Sequence, residues 1–220
     1  MLKYLKYYFG TSYRRKILDS LLEDNKHYYK GIVLDIGGRD RGKFKKPKDK
    51  VEKWIFADMV NKHSPDIILD VADMSQIQNG SINTINATEL FEHVRNPEKG
   101  LKECYRILKE NGAIILSAPF LYPVHNDPYD FQRWTEQKWK DKLQNLGFRI
   151  EVFKIMGRYF TVVMDMKKVL IENLPFGISH FLKLFYPLMD LLAKLDDTAY
   201  VKNNLRLSNY HQGYFIICKK

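Results

Sequence analysis

The stretch that most narrows what this chain can fold into is Val33-Leu34-Asp35-Ile36-Gly37-Gly38-Arg39-Asp40-Arg41-Gly42. An apolar run, Gly31-Ile32-Val33-Leu34, ends in an acid and breaks into a loop carrying Gly37, Gly38 and Gly42. A strand apolar on both faces belongs inside a parallel sheet, and glycine after it lets the backbone approach a ligand. Asp35 beside that turn repels a pyrophosphate and attracts an ammonium or a ribose hydroxyl. The ligand this favours is S-adenosylmethionine over a dinucleotide.

Further along, Val51 to Asp58 reads as a second strand, and Asp58 stands 23 positions after Asp35. That is close to the offset of about 20 at which an acid reaches a ribose diol in nucleotide-binding βαβ units. A helix cap or chance explains one such acid equally well. A third strand, Asp66-Ile67-Ile68-Leu69, also ends in an acid, Asp70, followed by Val71-Ala72-Asp73-Met74. Three strands in succession therefore carry a carboxylate to one edge of the expected sheet.

The fourth strand is expected over Ser81 to Ala87. A helix follows, with Asn96 as cap, Pro97 in its first turn, Leu101, Cys104, Tyr105 and Leu108 on one face, and Gly112 as its stop. Ala113 to Ser117 reads as the fifth strand. Thr135 caps another helix with Trp139, Leu143 and Leu146 inward and Gly147 at its end. Phe148 to Lys154 and Tyr214 to Cys218 read as the sixth and seventh strands. Ahead of them all, Ile17, Leu18, Leu21 and Leu22 predict a helix over Ser12 to Leu22 that covers the sheet edge. The fold class this implies is α/β, a Rossmann-like, doubly wound, mostly parallel seven-stranded sheet with a helical insert before the last strand.

Residues 1–220 are expected to form one domain, with a basic, helical extension over 1–30 and the insert over 156–212. Within the insert, Phe181, Phe185, Leu188 and Leu192 stand at helical spacing, widened by Leu184, Leu191 and Leu195. Such a stripe packs on its own domain, closes over a substrate, forms a homodimer face or lies on a membrane surface.

Charge sharpens the partner question. The net charge is +10, and residues 1–50 hold ten Lys and four Arg against six acids, leaving +8 at the front. Arg39 to Lys50 contains one aromatic, Phe44, and no base-stacking pattern, so nucleic acid is not the expected partner. Peripheral contact with an anionic membrane stays open. Cys104 and Cys218 lack companions at ligand spacing, so neither a disulfide framework nor a metal site is expected, and a reducing cytoplasm fits. Met1 to Lys6 has no continuous apolar core and makes a poor signal peptide. Glu172, Pro175, Lys183, Pro187 and Asp190 interrupt the most apolar stretch, 168–195, so it is not a spanning segment. The expected location is cytoplasmic, with any membrane contact at the inner face.

An ordered set of motifs now resembles the class I S-adenosylmethionine-dependent methyltransferases. The set is Val33-Leu34-Asp35-Ile36-Gly37-Gly38, Asp58, Asp70-Val71-Ala72-Asp73-Met74, Ala87-Thr88-Glu89-Leu90-Phe91-Glu92-His93-Val94, and Glu103 to Gly112 before Ser117-Ala118-Pro119. The resemblance implies that Gly37 and Gly38 contact the methionine part, with Asp35 holding its amino group. It implies that Asp58 takes the ribose hydroxyls, Asp70 and Val71 read the adenine edge, and Ala87 lies against the methionine chain. For Glu92-His93 it implies a mainly structural role. Two positions depart from the family pattern: Arg39-Asp40-Arg41 occupies the place of a third loop glycine, and Asn83 stands where the fourth strand usually starts with Asp.

In the loop from Pro119 to Trp134, the stretch Tyr122 to Trp134 looks like one found in bacterial methyltransferase-domain proteins linked to cell-surface glycan synthesis. It follows the fifth strand and so overhangs the expected site. There His125 can deprotonate an acceptor hydroxyl, with Asp127 or Asp130 orienting it; equally, Asp130 and Arg133 can simply pin the loop. The expected activity is methyl transfer, with oxygen of a glycan or related small molecule as acceptor. A non-catalytic scaffold with a degenerate cofactor loop is the alternative, and a nicotinamide-dependent oxidoreductase is disfavoured because the Gly-x-Gly-x-x-Gly spacing is missing.

Overall fold

The computed structural model describes residues 2–38 and 42–220. Arg39-Asp40-Arg41, where the glycine loop departs from the family pattern, lies outside the described residues. Seven strands form one sheet: β1 (Gly31–Ile36), β2 (Val51–Asp58), β3 (Ile67–Ile68), β4 (Ile82–Thr88), β5 (Leu108–Pro119), β6 (Arg149–Met156) and β7 (Gly213–Lys219). Their order is β3-β2-β1-β4-β5-β7-β6. The first five run parallel, and β7 inserts antiparallel between β5 and β6.

The central strands are apolar on both faces, and alternation sorts their side chains. On one face Leu34, Ile36, Ile114, Leu116, Ile216 and Cys218 join the main core. It is closed by α3 (Pro97–Ile107) and α4 (Glu136–Asn145) through Leu101, Cys104, Trp139 and Leu143. On the other face Val33, Ile115, Phe215 and Ile217 meet Leu18 and Leu22 of α2 (Tyr13–Asp24), with Tyr29 beside them. The N-terminal helix therefore covers the middle of one face rather than the sheet edge, because Leu18 and Leu22 need an apolar surface that only the central strands offer. Both cysteines are buried and free.

The expected caps hold: Asn96 and Thr135 accept the backbone N–H of Lys99 and Lys138, respectively. Ser12 also caps α2, accepting the backbone N–H of Arg15. The helix after Asn96, however, ends at Ile107; Gly112 lies inside β5, which starts at Leu108. Strands and helices also alternate less regularly than expected. Among the described residues no helix joins β1 to β2, and the aromatic rings of Tyr29, Phe44 and Trp54, tilted against one another with centroids 5.4–5.6 Å apart, cover the sheet there.

The opening residues form a helix, α1 (Leu2–Gly10). Between β6 and β7 come α5 (Tyr159–Glu172), α6 (Phe176–Lys183), α7 (Tyr186–Ala193), α8 (Ala199–Asn203) and α9 (Leu205–Ser208). The apolar stripe is thus split between α6 and α7, with Pro187 in the first turn of the second. A third apolar cluster, Met164, Ile171, Tyr186 and Met189 with Tyr8, Phe9 and Tyr13, ties this unit to α1 and α2. No described helix is long and apolar enough to cross a membrane.

Candidate active site

Parallel strands deliver their carboxyl ends to one edge, and there the sheet opens into a cleft of about 560 Å³. Asp35, Gly37, Gly38, Asp58, Asp70 and Val71 all line it. Asp35 is buried, accepts a 2.6 Å hydrogen bond from Asn86 Nδ2, and pairs with Lys46 Nζ at 3.0 Å. Asn86 is its register partner on β4 and is itself held by the Tyr29 hydroxyl at 2.8 Å. The turn beside it demands glycine. Gly37 has φ +66°, and a Cβ on Gly38 would sit 1.9 Å from Asp35 Oδ1.

Asp58 ends β2, and its Oδ1 accepts from the Val60 amide at 3.2 Å. Asp70 follows β3, and its Oδ1 accepts from the Ala72 amide at 2.8 Å. Each acid thus braces the loop that follows it, in an orientation that also faces the cleft. Ala87 is a correction. It is fully buried in the main core, while Asn86 and Thr88 reach the cleft, because successive strand residues point to opposite faces.

Just past β4, Glu89 (φ +54°) turns into the cleft floor. It accepts from the Ser117 hydroxyl at 2.7 Å and from the Arg14 guanidinium, which lies 4.1 Å above the Tyr122 ring. Burial opposes its ionisation, yet the Arg14 charge prevails and holds Glu89 below the usual carboxylate range. Glu92, three residues on, is more deeply buried and lacks such a partner. Burial and the Glu89 charge push it well above that range. Sequence reading missed the Arg14–Glu89 pair, since nothing local to Arg14 points across to β4.

The 120–134 loop closes the far side: Asp127, Pro128, Tyr129 and Phe131 line the same cleft as the three strand-end acids. Asp130 anchors the loop, taking Arg133 Nη2 at 2.6 Å and the His125 amide at 3.0 Å, and these bonds hold its carboxyl down at about 2. His125 packs edge-on to His93, ring centroids 5.0 Å apart, and it is His93 that reaches the cleft. The acid beside His125 is Asp130, 3.5 Å from Nδ1, whereas Asp127 faces the cleft. Burial holds the His93 imidazole below its usual value. Among the described residues, Glu92, His93 and His125 are the group that could hold a metal, one donor atom of each lying within 4.8 Å of the others.

The donor set suits S-adenosylmethionine. The cradle at Gly37–Gly38 with Asp35 offers acceptors for an amino group, Asp58 an acceptor for ribose hydroxyls, and the Asp70–Val71 turn an edge for a base. This strand order and this line of acids along one sheet edge define the class I S-adenosylmethionine-dependent methyltransferase fold. Residues 46–116 match the family described as a methyltransferase domain. Among proteins of curated function none matches the chain in sequence.

Solved structures share the fold at low identity. A SAM-dependent methyltransferase from Archaeoglobus fulgidus is 16% identical, with all of both chains covered and a TM-score of 0.57. The 1,6-didemethyltoxoflavin-N1-methyltransferase of Burkholderia thailandensis, with bound S-adenosylhomocysteine, is 10% identical over 96% of this chain and 80% of that one, TM-score 0.56. The cyclase SpnF reaches a TM-score of 0.59 at 12% identity over 92% of this chain and 79% of that one. The likenesses establish the fold, and the domain match shows that residues 46–116 are similar to a methyltransferase domain.

Proposed function

We propose that the chain methylates an oxygen of a glycan or related small molecule. The observation that carries this reading is the shared cleft: Asp127, Tyr129 and Phe131 stand across it from Asp35, Asp58 and Asp70. Tyr129 and Phe131 are exposed, with ring centroids 5.6 Å apart, and offer flat apolar faces of the kind that line small-molecule sites. Asp127 adds an acceptor for hydroxyl groups.

Bound S-adenosylmethionine supplies an activated methyl group on a sulfonium. What this chain adds is alignment and exclusion of water, an effect worth roughly 7 to 11 kcal/mol when geometry is right. Asp58 and the Gly37–Gly38 turn fix the cofactor end, and the 120–134 loop fixes the acceptor. A hydroxyl must also lose its proton, and the groups at that end of the cleft are His93 with His125 behind it.

The test combines calorimetry with S-adenosylhomocysteine and transfer of a labelled methyl to a panel of sugar nucleotides and lipid-linked glycans. Base-stable methyl ethers, and weakening of S-adenosylhomocysteine binding by roughly 10- to 150-fold in Asp58→Ala, are expected; each charged hydrogen bond is worth about 1.5–3 kcal/mol. Methyl transfer only to nitrogen or sulfur acceptors overturns the oxygen assignment, and cofactor that does not bind favours a scaffold.

The insert supports a place for this reaction. The outer faces of α6 and α7 expose Phe176, Ile178, Phe181, Leu184, Leu188 and Leu191. From Asn173 to Ala193 the one acid is Asp190, and it faces inward, taking the Tyr8 and Tyr13 hydroxyls at 2.6 Å. An apolar face without outward acids, on a chain of net charge +10, suits an anionic membrane surface at the inner face. Salt-sensitive sedimentation with anionic vesicles, lost in Phe181→Ser/Leu188→Ser, is the expected result. Concentration-dependent dimers abolished by the same pair of substitutions, without vesicle binding, assign the face to a second copy instead.

A further inference from the structure

The sequence places Glu92 and His93 at one turn and His125 on a distant loop, and it gives no metal-ligand spacing. The fold brings the three together at the end of the cleft, one donor atom of each within 4.8 Å of the others. Three further observations distinguish this cluster from a chance meeting of polar residues.

First, Glu92 is 2% exposed and neither carboxylate oxygen has a hydrogen-bond partner. A buried carboxylate without partners is costly, and a cation is one of the few things that removes the cost. Second, both imidazoles have their Nδ1 turned to backbone carbonyls. His93 Nδ1 lies 2.6 Å from the Tyr129 oxygen and His125 Nδ1 3.2 Å from the Pro123 oxygen. A ring that donates its Nδ1–H to a carbonyl keeps a lone pair on Nε2, and this is how metal-binding histidines are oriented. Third, His93 Nε2 already stands 3.8 Å from Glu92 Oε1. Ligands with bonds of about 2.0–2.2 Å to one tetrahedral ion lie roughly 3.3–3.5 Å apart, so that pair needs little movement to share an ion.

We propose that Glu92, His93 and His125 bind a divalent transition metal with a coordination position open to the cleft. Two imidazoles and one carboxylate suit zinc or a similar ion and leave at least one position for an outside oxygen. Its role rests on the reading of the cleft as a site of oxygen methylation. There the ion takes the acceptor oxygen as a ligand and acidifies its hydroxyl: the O–H bond breaks, the proton leaves to water, and the electron pair stays on oxygen.

The experiment is titration of chelator-stripped full-length protein with Zn²⁺ by calorimetry, and with Co²⁺ by its d–d absorption, for the native chain, His93→Ala, His125→Ala and Glu92→Gln. One equivalent bound, with a tetrahedral or five-coordinate cobalt spectrum, is expected. Each substitution should weaken binding at least by the roughly 10- to 100-fold that loss of a mere orienting partner costs. Should an alanine variant fail to fold, His93→Gln keeps the volume and removes the ligand. No binding, or binding that the substitutions leave unchanged, overturns the site. Binding to these residues combined with methyl transfer that is indifferent to chelator overturns its role in acidifying the acceptor. Metal bound without any S-adenosylhomocysteine binding sinks the methyltransferase reading and leaves the metal site standing.

Discussion

At the scale of single residues the site depends on a few close approaches. Gly38 is the tightest of these, since any side chain there collides with the Asp35 carboxylate 1.9 Å away. Gly38→Ala is therefore expected to displace Asp35 from its Asn86 and Lys46 contacts and to abolish detectable S-adenosylhomocysteine binding, while circular dichroism stays native. Calorimetry checks it, and unchanged affinity counts against the cradle at this turn. The place of Asp35, Asp58 and Asp70 in the cleft was legible because each lies at or just after the end of its own strand, so that local pattern and position at the sheet edge coincide. Ala87 was misplaced because the resemblance carries a position but not the strand parity that turns its side chain into the core. Glu92, His93 and His125 were opaque as a group, since their meeting depends on a loop path that Asp130 and Arg133 fix only after folding.

Between elements, the charged contacts decide how the helices are held to the sheet. Arg14 of α2 and Glu89 after β4 form a buried pair at the cleft floor. Breaking such a pair from one side leaves an uncompensated buried charge and costs about 3–5 kcal/mol. Arg14→Ala is expected to lower stability by about that amount in urea unfolding, and Arg14→Met with Glu89→Gln to recover much of it. A similar loss in the double variant would contradict a charge-based explanation.

The start of the loop after β5 carries the pH-sensitive contact. His211 stacks on Phe120 at 4.8 Å and shares a hydrogen bond with the Tyr214 hydroxyl, and burial pushes its imidazole down to about 4 from an ordinary value of 6.5. In that interval the unfolded chain binds the proton and the folded chain does not, so stability rises with pH from about 4 to 6.5 and is lost on acidification. His211→Phe should flatten that part of the profile; an unchanged slope assigns it to other groups. Strand and helix positions were readable from periodicity, but this partnership was not, because aromatic packing between a loop and β7 leaves no period in the sequence.

On the scale of the whole molecule, the chain is a sheet with a helical unit attached, and the attachment is polar as well as apolar. Tyr8 and Tyr13 both donate to Asp190 at 2.6 Å, and Lys168 donates to the Thr11 carbonyl at 2.5 Å. These bonds run between α1, α2 or the turn that joins them and the insert, while the seven strands pair without them. The sequence marked both regions as extra to a minimal sheet, yet it could not show that they bind each other, because hydroxyl–carboxylate bonds between distant segments have no pattern. Tyr8→Phe/Tyr13→Phe removes both donors and leaves Asp190 beside apolar rings, at a cost of about 1.5–3 kcal/mol for each bond to a charged group. That loss falls on the insert, whose local opening draws on its own contacts. Limited proteolysis should then cut faster between α5 and α7, with hydrogen exchange in the central strands unchanged. Protection lost equally across β1, β4 and β5 would mean that the insert and sheet unfold as one unit.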